Sequence, residues 1–450
     1  MKRVYLETYG CQMNVADSGL ILHVLEAAGF RLTEDVAEAS LVLLNTCAVR
    51  ERAEERVAAR IQQLSRLKQV RPDLVLGITG CMPKHLGDAL RDRLPKLDLL
   101  IGPDSYRRLP ELVEQASSRP TVDLKLDGEE DYSDLDPVAI EGVNAFIPIM
   151  RGCDRFCTFC VVPLTRGREK SLPLADVLRQ VESSVDRGAR QVTLLGQTVN
   201  SYRHEEHRFV DLLRAVAAVP GVLRVRYTSP HPCHFDEEVY ALMAEEPRLC
   251  PQIHLPLQSG SDRMLESMKR GYSSGQFLQQ VETIRGYLPE VGLSTDLIVG
   301  FSGESDLDFE ETMRVVRAAR FDSAFLFRYS PRSGTYAFRH QEDDVPLEVK
   351  ARRLDRVIAL QEEISAERYA LWRGREVEVL VEGPSRRDPR HAVGKTPDGK
   401  TVIFPAGAET GSLHRVRVAD TTSHTLLGEG VQDSRDEAAE NPAAATSEFD

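Results

Sequence analysis

Apolar and polar positions divide the chain into three textures. Over residues 1–118 three short β-rich runs stand out: VYLETYG (4–10), LVLLNTC (41–47) and LVLGITGC (74–81). Each precedes a stretch with apolar residues at three- and four-residue spacing, at 17–28, 51–69 and 84–94, which predicts helices. Strand, loop and helix in repetition predict an open parallel α/β sheet with right-handed crossovers.

A longer βα series follows. AFIPIMRG (145–152), QVTLLGQ (191–197), LRVRYTS (223–229), QIHLPLQSG (252–260), STDLIVGF (294–301) and AFLFRYS (324–330) are candidate strands. Amphipathic runs at 174–187, 236–244, 273–287 and 306–319 separate them, and a charged helix at 347–369 closes the series. Six βα repeats predict a partial (β/α)6 barrel with functional residues at the C-terminal strand ends. Beyond 375 the strands shorten: EVEVLVEG, HAVGKT, KTVIFP, HRVRVADTT and HTLLGE, punctuated by Gly, Pro and Asp, predict a small all-β barrel. The expected organisation is an N-terminal domain at 1–118, an acidic linker at 119–138, the partial barrel at 139–370, the β-barrel at 371–430 and a disordered acidic tail at 431–450.

A chain of 450 residues fits this multidomain α/β layout. No run reaches the ~18 apolar residues of a membrane span. The N-terminus runs into a strand pattern without a signal core, so a cytoplasmic location is the default expectation; the sequence does not give the oligomeric state, for which monomer is the default. The net charge of −13 argues at first against a nucleic-acid partner. Much of it is local, however. Asp123, Asp127, Glu129, Glu130, Asp131, Asp134, Asp136 and Glu141 face Lys125 alone, and the tail is acidic too. Both stretches read as solvated. The remainder is near neutral and has room for basic patches, such as Arg166, Arg168 and Lys170, or Arg386, Arg387 and Lys395.

The eight cysteines are unevenly placed. Cys153, Cys157 and Cys160 have C-x3-C-x2-C spacing in the loop after the first barrel strand. Thiolates suit iron–sulfur clusters and zinc. Structural zinc wants four ligands, and no fourth Cys or His stands nearby. Three thiolates on a four-iron cluster leave one iron open for a substrate. A zinc knuckle, a disulfide or plain core cysteines are the bland alternatives. Cys11, Cys47 and Cys81 each lie just past one N-terminal strand, and in a parallel sheet those ends share one edge. Each alone would read as a small buried hydrophobe. Together they predict a second site. Cys233, between His231 and His234, reads as a structural thiol, and Cys250 as packing.

The C-x3-C-x2-C loop opening a partial barrel resembles the radical S-adenosylmethionine (SAM) superfamily. Further motifs match along nearly the whole chain: TYGCQMN (8–14), NTCAVRE (45–51), GCMP (80–83), RGCDRFCTFCVVPLTRGRE (151–169), LLGQTVNSY (194–202), TSPHP (228–232), HLPLQSGS (254–261), STDLIVGFSGE (294–304) and VEGPSRR (381–387). On these the chain resembles the methylthiotransferase family of radical SAM enzymes, in the branch that acts on isopentenylated tRNA adenosine.

The resemblance implies two 4Fe-4S clusters, held by Cys153, Cys157 and Cys160 and by Cys11, Cys47 and Cys81. It implies SAM as cofactor, with Phe159 near the adenine, and a C-terminal TRAM domain that binds RNA. The implied reaction inserts a methylthio group at carbon 2 of N6-isopentenyladenosine beside the tRNA anticodon, using two SAM and a cluster sulfur. The implied partners are the anticodon stem-loop and a flavodoxin-type electron donor. Position at strand ends adds Gly196, Gln197, Ser229, Gln258 and Asp296 as SAM contacts. Sister branches acting on threonylcarbamoyladenosine or on a ribosomal-protein aspartate are alternatives, as is an RNA-binding iron–sulfur sensor.

Overall fold

The computed structural model describes residues 2–48, 51–136 and 140–433. The N-terminal domain is a parallel sheet of β1 (Lys2–Tyr9), β2 (Phe30–Leu32), β3 (Leu41–Thr46), β4 (Val75–Gly80), β5 (Leu99–Ile101) and β6 (Thr121–Asp123), in the order β2-β1-β3-β4-β5-β6. The unbroken apolar run of β3 is explained by burial on both faces. Leu41 and Leu43 pack with Leu20, Ile21 and Tyr106 on one side, and Val42 and Leu44 with Val57 and Ile61 on the other. Helices α1 (Gln12–Ala27) and α2 (Glu51–Leu64) follow β1 and β3. The helix expected at 84–94 is instead two, α3 (Cys81–Leu86) and α4 (Asp88–Arg93), broken at Gly87, whose φ of +50° leaves the helical region. Helix α5 (Leu109–Ala116) lies between β5 and β6.

The segment expected to be an acidic linker is folded. Its first residues form β6, at the edge of the sheet. Tyr132, in the middle of the acidic run, is buried, donates its hydroxyl to the Pro103 carbonyl at 3.0 Å and stacks on Tyr106 with centroids 5.8 Å apart. The acidic charges have partners: Glu130 and Asp134 both grip Arg107, and Asp136 pairs with Arg187 at 3.0 Å. Residues 434–450, most of the expected tail, lie outside the described residues.

The central domain is an open arc of six strands: β7 (Asn144–Pro148), β8 (Gln191–Leu195), β9 (Arg224–Tyr227), β10 (Gln252–His254), β11 (Gly292–Val299) and β12 (Ser323–Arg328). Parallel pairing runs β7-β8-β9 and β10-β11-β12, and a parallel Val225–Leu249 bridge joins the two halves. The first expected strand stops at Pro148, and Met150–Arg151 pairs antiparallel with Lys170–Ser171 instead. Along β11 the residues alternate: Leu293, Thr295, Leu297 and Val299 are buried, while Ser294, Asp296 and Ile298 are partly exposed toward the interior of the arc. Among the described residues, no helix is long and apolar enough to cross a membrane.

The C-terminal domain is a closed barrel of β13 (Glu376–Pro384), β14 (His391–Lys395), β15 (Thr401–Pro405), β16 (Leu413–Thr421) and β17 (Thr425–Asp433), in the order β13-β14-β15-β17-β16. It docks where the central strands begin. Arg226 of β9 donates to the carbonyls of Thr396 (2.8 Å) and Pro397 (2.9 Å). Gly292 opens β11 against the Asp398 carbonyl, where any Cβ would collide. The N-terminal domain lies at the opposite end. The loop after β12 reaches it through Arg332–Glu54 at 3.0 Å and the Ser333 carbonyl, which lies 2.9 Å from His85 Nε2.

Candidate functional site

The first cysteine trio lies in a tight loop beyond β7. Gly152 adopts φ +75°, and a Cβ there would sit on the Arg168 carbonyl. Cys153 Sγ accepts from the Arg155 amide at 3.4 Å and stands 3.3 Å from Thr198 Oγ1. Cys160 N donates to the Cys157 carbonyl at 3.0 Å, turning the chain back. Cys157 Sγ accepts a bond from Arg270 Nη1 at 3.3 Å. Burial pushes the Cys153 thiol up and the Cys160 thiol up to about 12, with the Cys157 charge adding to the latter. Filling such a site therefore means exchanging protons for metal.

The second trio gathers at the strand ends of the N-terminal sheet. Cys11 caps α1 and lies 3.4 Å from Asn14 Oδ1. Cys47 follows β3, its amide donating to the Tyr9 carbonyl at 2.9 Å. Cys81 opens α3 directly after β4. Asn14 and Asn45 lock the loops together: Asn14 Nδ2 donates to Asn45 Oδ1 (3.1 Å) and Asn45 Nδ2 to the Asn14 carbonyl (2.7 Å). Gly10 permits the approach, since a Cβ there would press on the Asn14 side chain and on Cys47 Cβ. A hydrogen bond with Cys47 draws the Cys11 thiol down to about 6, and the Arg166 charge works in the same direction. Burial moves Cys81 upward.

The two trios meet. Helix α6 (Val162–Arg166) begins two residues after Cys160 and packs on α3. Val161 is buried against Cys81 and Ala48, the neighbour of Cys47. Arg166 Nε donates to Cys81 Sγ at 3.2 Å. Its side chain is only 3% exposed and is paired with Asp17, so it is not the surface phosphate contact expected from the basic run. Among the described residues, no group of three or more His, Cys, Asp or Glu could hold a single metal ion. A four-iron cluster takes one thiolate on each of three irons and asks for a wider triangle. The donor set fits such clusters: two trios of thiols outside any disulfide, each with one buried guanidinium on a sulfur.

The strand-end residues expected to contact SAM fall into three kinds. Ser229 (φ +60°) and Gln258 (φ +69°) hold left-handed backbone, a strain that concentrates at functional sites. Gln197 Oε1 is buried without a hydrogen-bond partner, an open acceptor, while a Cβ on Gly196 would strike Met150. Asp296 and Phe159 have partners in the protein: Asp296 lies 3.1 Å from His254 Nε2, and Phe159 meets Phe301 edge-on at 6.4 Å. Sequence reasoning passed over Asp17, His254 and Arg270, whose roles come from partners distant in the chain. Cys233 Sγ donates to the Arg270 carbonyl at 3.0 Å, and Cys250 is buried. Two open clefts, of about 620 Å³ beside Arg190 and Ser412 and about 450 Å³ beside Lys269 and Gln276, are lined by no cysteine.

Comparison with known proteins assigns the three textures. Residues 3–102 match the uncharacterized protein family UPF0004, 147–316 the radical SAM superfamily and 371–431 the TRAM domain. Among solved structures, TsrM from Kitasatospora setae, a radical SAM methyltransferase with cobalamin and a 4Fe-4S cluster bound, superposes with a TM-score of 0.54 at 15% identity, covering 73% of this chain and 72% of that one. That likeness speaks for the fold. Much nearer are the tRNA-2-methylthio-N(6)-dimethylallyladenosine synthases of Porphyromonas gingivalis and Chlorobium phaeobacteroides. The first is 45% identical over 96% of this chain and 95% of the relative. The second is 43% identical over 96% and 98%. With such identity over nearly its full length, the chain belongs to the tRNA-2-methylthio-N(6)-dimethylallyladenosine synthase family of radical SAM enzymes.

Proposed function

We propose that the chain inserts a methylthio group at carbon 2 of N6-isopentenyladenosine beside the tRNA anticodon. In this reading Cys153, Cys157 and Cys160 hold one 4Fe-4S cluster, and Cys11, Cys47 and Cys81 hold a second. The observation that carries it is that the segment following the first trio packs on the second site, through Val161 and through the Arg166–Cys81 bond. An adenine carbon-2 C–H bond is neither acidic enough for a side-chain base nor electrophilic enough for a side-chain nucleophile. When bound, the clusters and SAM supply one-electron cleavage of SAM and the sulfur to be transferred.

The chain's own residues bind and orient. By offering three thiolates, each trio leaves one iron without a protein ligand. Gln197 Oε1 offers an acceptor to a ligand N–H. Phe159 gives an apolar face, and Gly196, Ser229 and Gln258 keep the strand ends low. His254, Ser294 and Asp296 form a hydrogen-bonded polar wall inside the arc. Cations of the β-barrel, the exposed Arg387 and the half-buried Lys395 among them, attract RNA phosphates. A flavodoxin-type donor supplies electrons to a cytoplasmic monomer.

Anaerobically reconstituted protein should hold about eight irons per chain, four for each cluster. With SAM, reductant and isopentenylated tRNA it should release 5′-deoxyadenosine and yield methylthiolated nucleoside. Product on a ribosomal protein and none on tRNA would move the chain to the sister branch. Cys157→Ala should abolish SAM cleavage. Cys47→Ala should spare cleavage and block sulfur insertion, and equal loss of both would contradict the division of labour.

A further inference from the structure

Arg166 stands six residues after Cys160, yet its partners belong to the N-terminal domain. Asp17, on α1, takes two of its N–H groups: Nη1 to Oδ1 at 3.2 Å and Nη2 to Oδ2 at 2.5 Å. This forked pairing fixes the plane of the guanidinium. The remaining edge, Nε–H, points at Cys81 Sγ. Asp17 is itself held: it is completely buried, accepts the Tyr106 hydroxyl at 3.3 Å and lies 3.8 Å from Arg151. Arg151 in turn donates to the Pro103 carbonyl at 3.1 Å and lies over the Tyr132 ring at 4.8 Å. A guanidinium this deep is costly unless its donors are satisfied. Here three of its five N–H groups are spent on one carboxylate and one cysteine sulfur.

We propose that Arg166 is a positioning residue of the N-terminal cysteine site, supplied by the radical SAM domain: Asp17 aims its Nε–H at Cys81, orienting that sulfur and raising the reduction potential of the cluster it binds. This rests on the reading that Cys11, Cys47 and Cys81 hold an iron–sulfur cluster. A hydrogen bond and a positive charge beside a ligating sulfur both favour the reduced, more negative cluster. The site's redox poise thereby depends on the docking of the two domains. Arg270 stands in the same relation to Cys157, but within its own domain.

The test uses the full chain with Cys153, Cys157 and Cys160 changed to Ala, so that only the N-terminal cluster can form. After anaerobic reconstitution, iron is counted and the cluster is titrated by EPR. The parent should hold about four irons. Arg166→Gln should shift the midpoint to more negative potential and alter the EPR signal. Arg166→Lys keeps the charge without the fork and should fall between. Asp17→Asn loosens the fork but also removes the negative charge that opposes Arg166, so it should alter the EPR signal without driving the midpoint as far negative as Arg166→Gln. Arg270→Gln should leave the midpoint where it was. An unmoved midpoint in Arg166→Gln at full iron content overturns the proposal, as does an unaltered EPR signal in Asp17→Asn or an equal shift with Arg270→Gln. A parent that binds no iron overturns the cluster reading itself. Should Arg166→Gln not fold, Arg166→Lys and Asp17→Asn, checked by circular dichroism, decide the matter.

Discussion

The central arc carries a neighbour at each end, and the two seams differ in chemistry. Toward the cysteines, the N-terminal domain is held by buried carboxylate–guanidinium pairs: Asp17 with Arg166 and Arg151, and Asp104 with Arg151. At the other end the β-barrel is held largely by cations on backbone carbonyls. Arg224 reaches the Lys395 carbonyl, and Arg226 reaches Thr396 and Pro397. Lys400 adds a pair with Asp322 at 3.1 Å and sits 4.9 Å from the centre of the Trp372 ring. The first seam shares residues with the cysteine site: Arg151 and Arg166 flank one trio, and Arg166 touches the other. The second contains no cysteine of either trio. A fault in the first should change both stability and chemistry. A fault in the second should change how the β-barrel is held and leave the cysteines alone.

The largest effect is expected from Asp17→Ala. It leaves Arg166 and Arg151 without their shared carboxylate, and breaking a buried pair from one side costs about 3–5 kcal/mol. Urea unfolding of the apo-protein measures it, and a loss below about 1 kcal/mol, typical of exposed pairs, would dissolve the contrast between the seams. At the other seam Asp322→Asn should cost less, about 1–3 kcal/mol, because Lys400 retains Asp398 as a partner. Burial pushes the Asp322 carboxyl up, but Lys400 and Arg368 outweigh it and hold the carboxyl below the usual 3.8. A lowered carboxyl stabilises fully at neutral pH and loses that contribution as pH falls through its folded value. Protease cleavage near 371–375 should therefore appear in the native protein only on acidification below 3.8, and in Asp322→Asn already at pH 7. Cleavage independent of pH in both would remove Asp322 from the seam.

The two ends also differ in how far the sequence announces them. Cys153, Cys157 and Cys160 are local, so their spacing is visible at once. Cys11, Cys47 and Cys81 are legible because β1, β3 and β4 carry clear apolar runs and a parallel sheet aligns their ends. Arg166 was not legible. It lies in a basic run with Arg168 and Lys170, and charge along a chain does not tell that the first is buried while Arg168 is exposed. The acidic stretch misleads in the same way. Its signal was Tyr132, an aromatic among carboxylates that needs a core, and Glu130, Asp134 and Asp136 pair with Arg107 and Arg187. Strands β2, β5 and β6 span three residues each, too few to show a period of two. Asp17 and Arg270 reach the cysteine sites through partners more than a hundred residues away, Arg166 and Cys157.

The smallest effect sharpens the contrast at the β-barrel. Arg387 is exposed, and Lys395 is 41% exposed with Glu382 only within 4.0 Å. Neither contributes to a seam through its side chain, so Arg387→Ala with Lys395→Ala should leave urea unfolding and iron content unchanged. If both cations meet phosphates, each carries one counterion-release term of about 0.7–0.9 in the slope of log affinity against log salt. The double variant should then bind tRNA more weakly at low salt, with a slope shallower by about 1.4–1.8. At high salt the two proteins should converge, because screening removes what the substitutions removed. A parallel loss at every salt concentration would point to lost packing. An unchanged slope would put the RNA on another face of the barrel, and the second seam would then serve to hold that face instead.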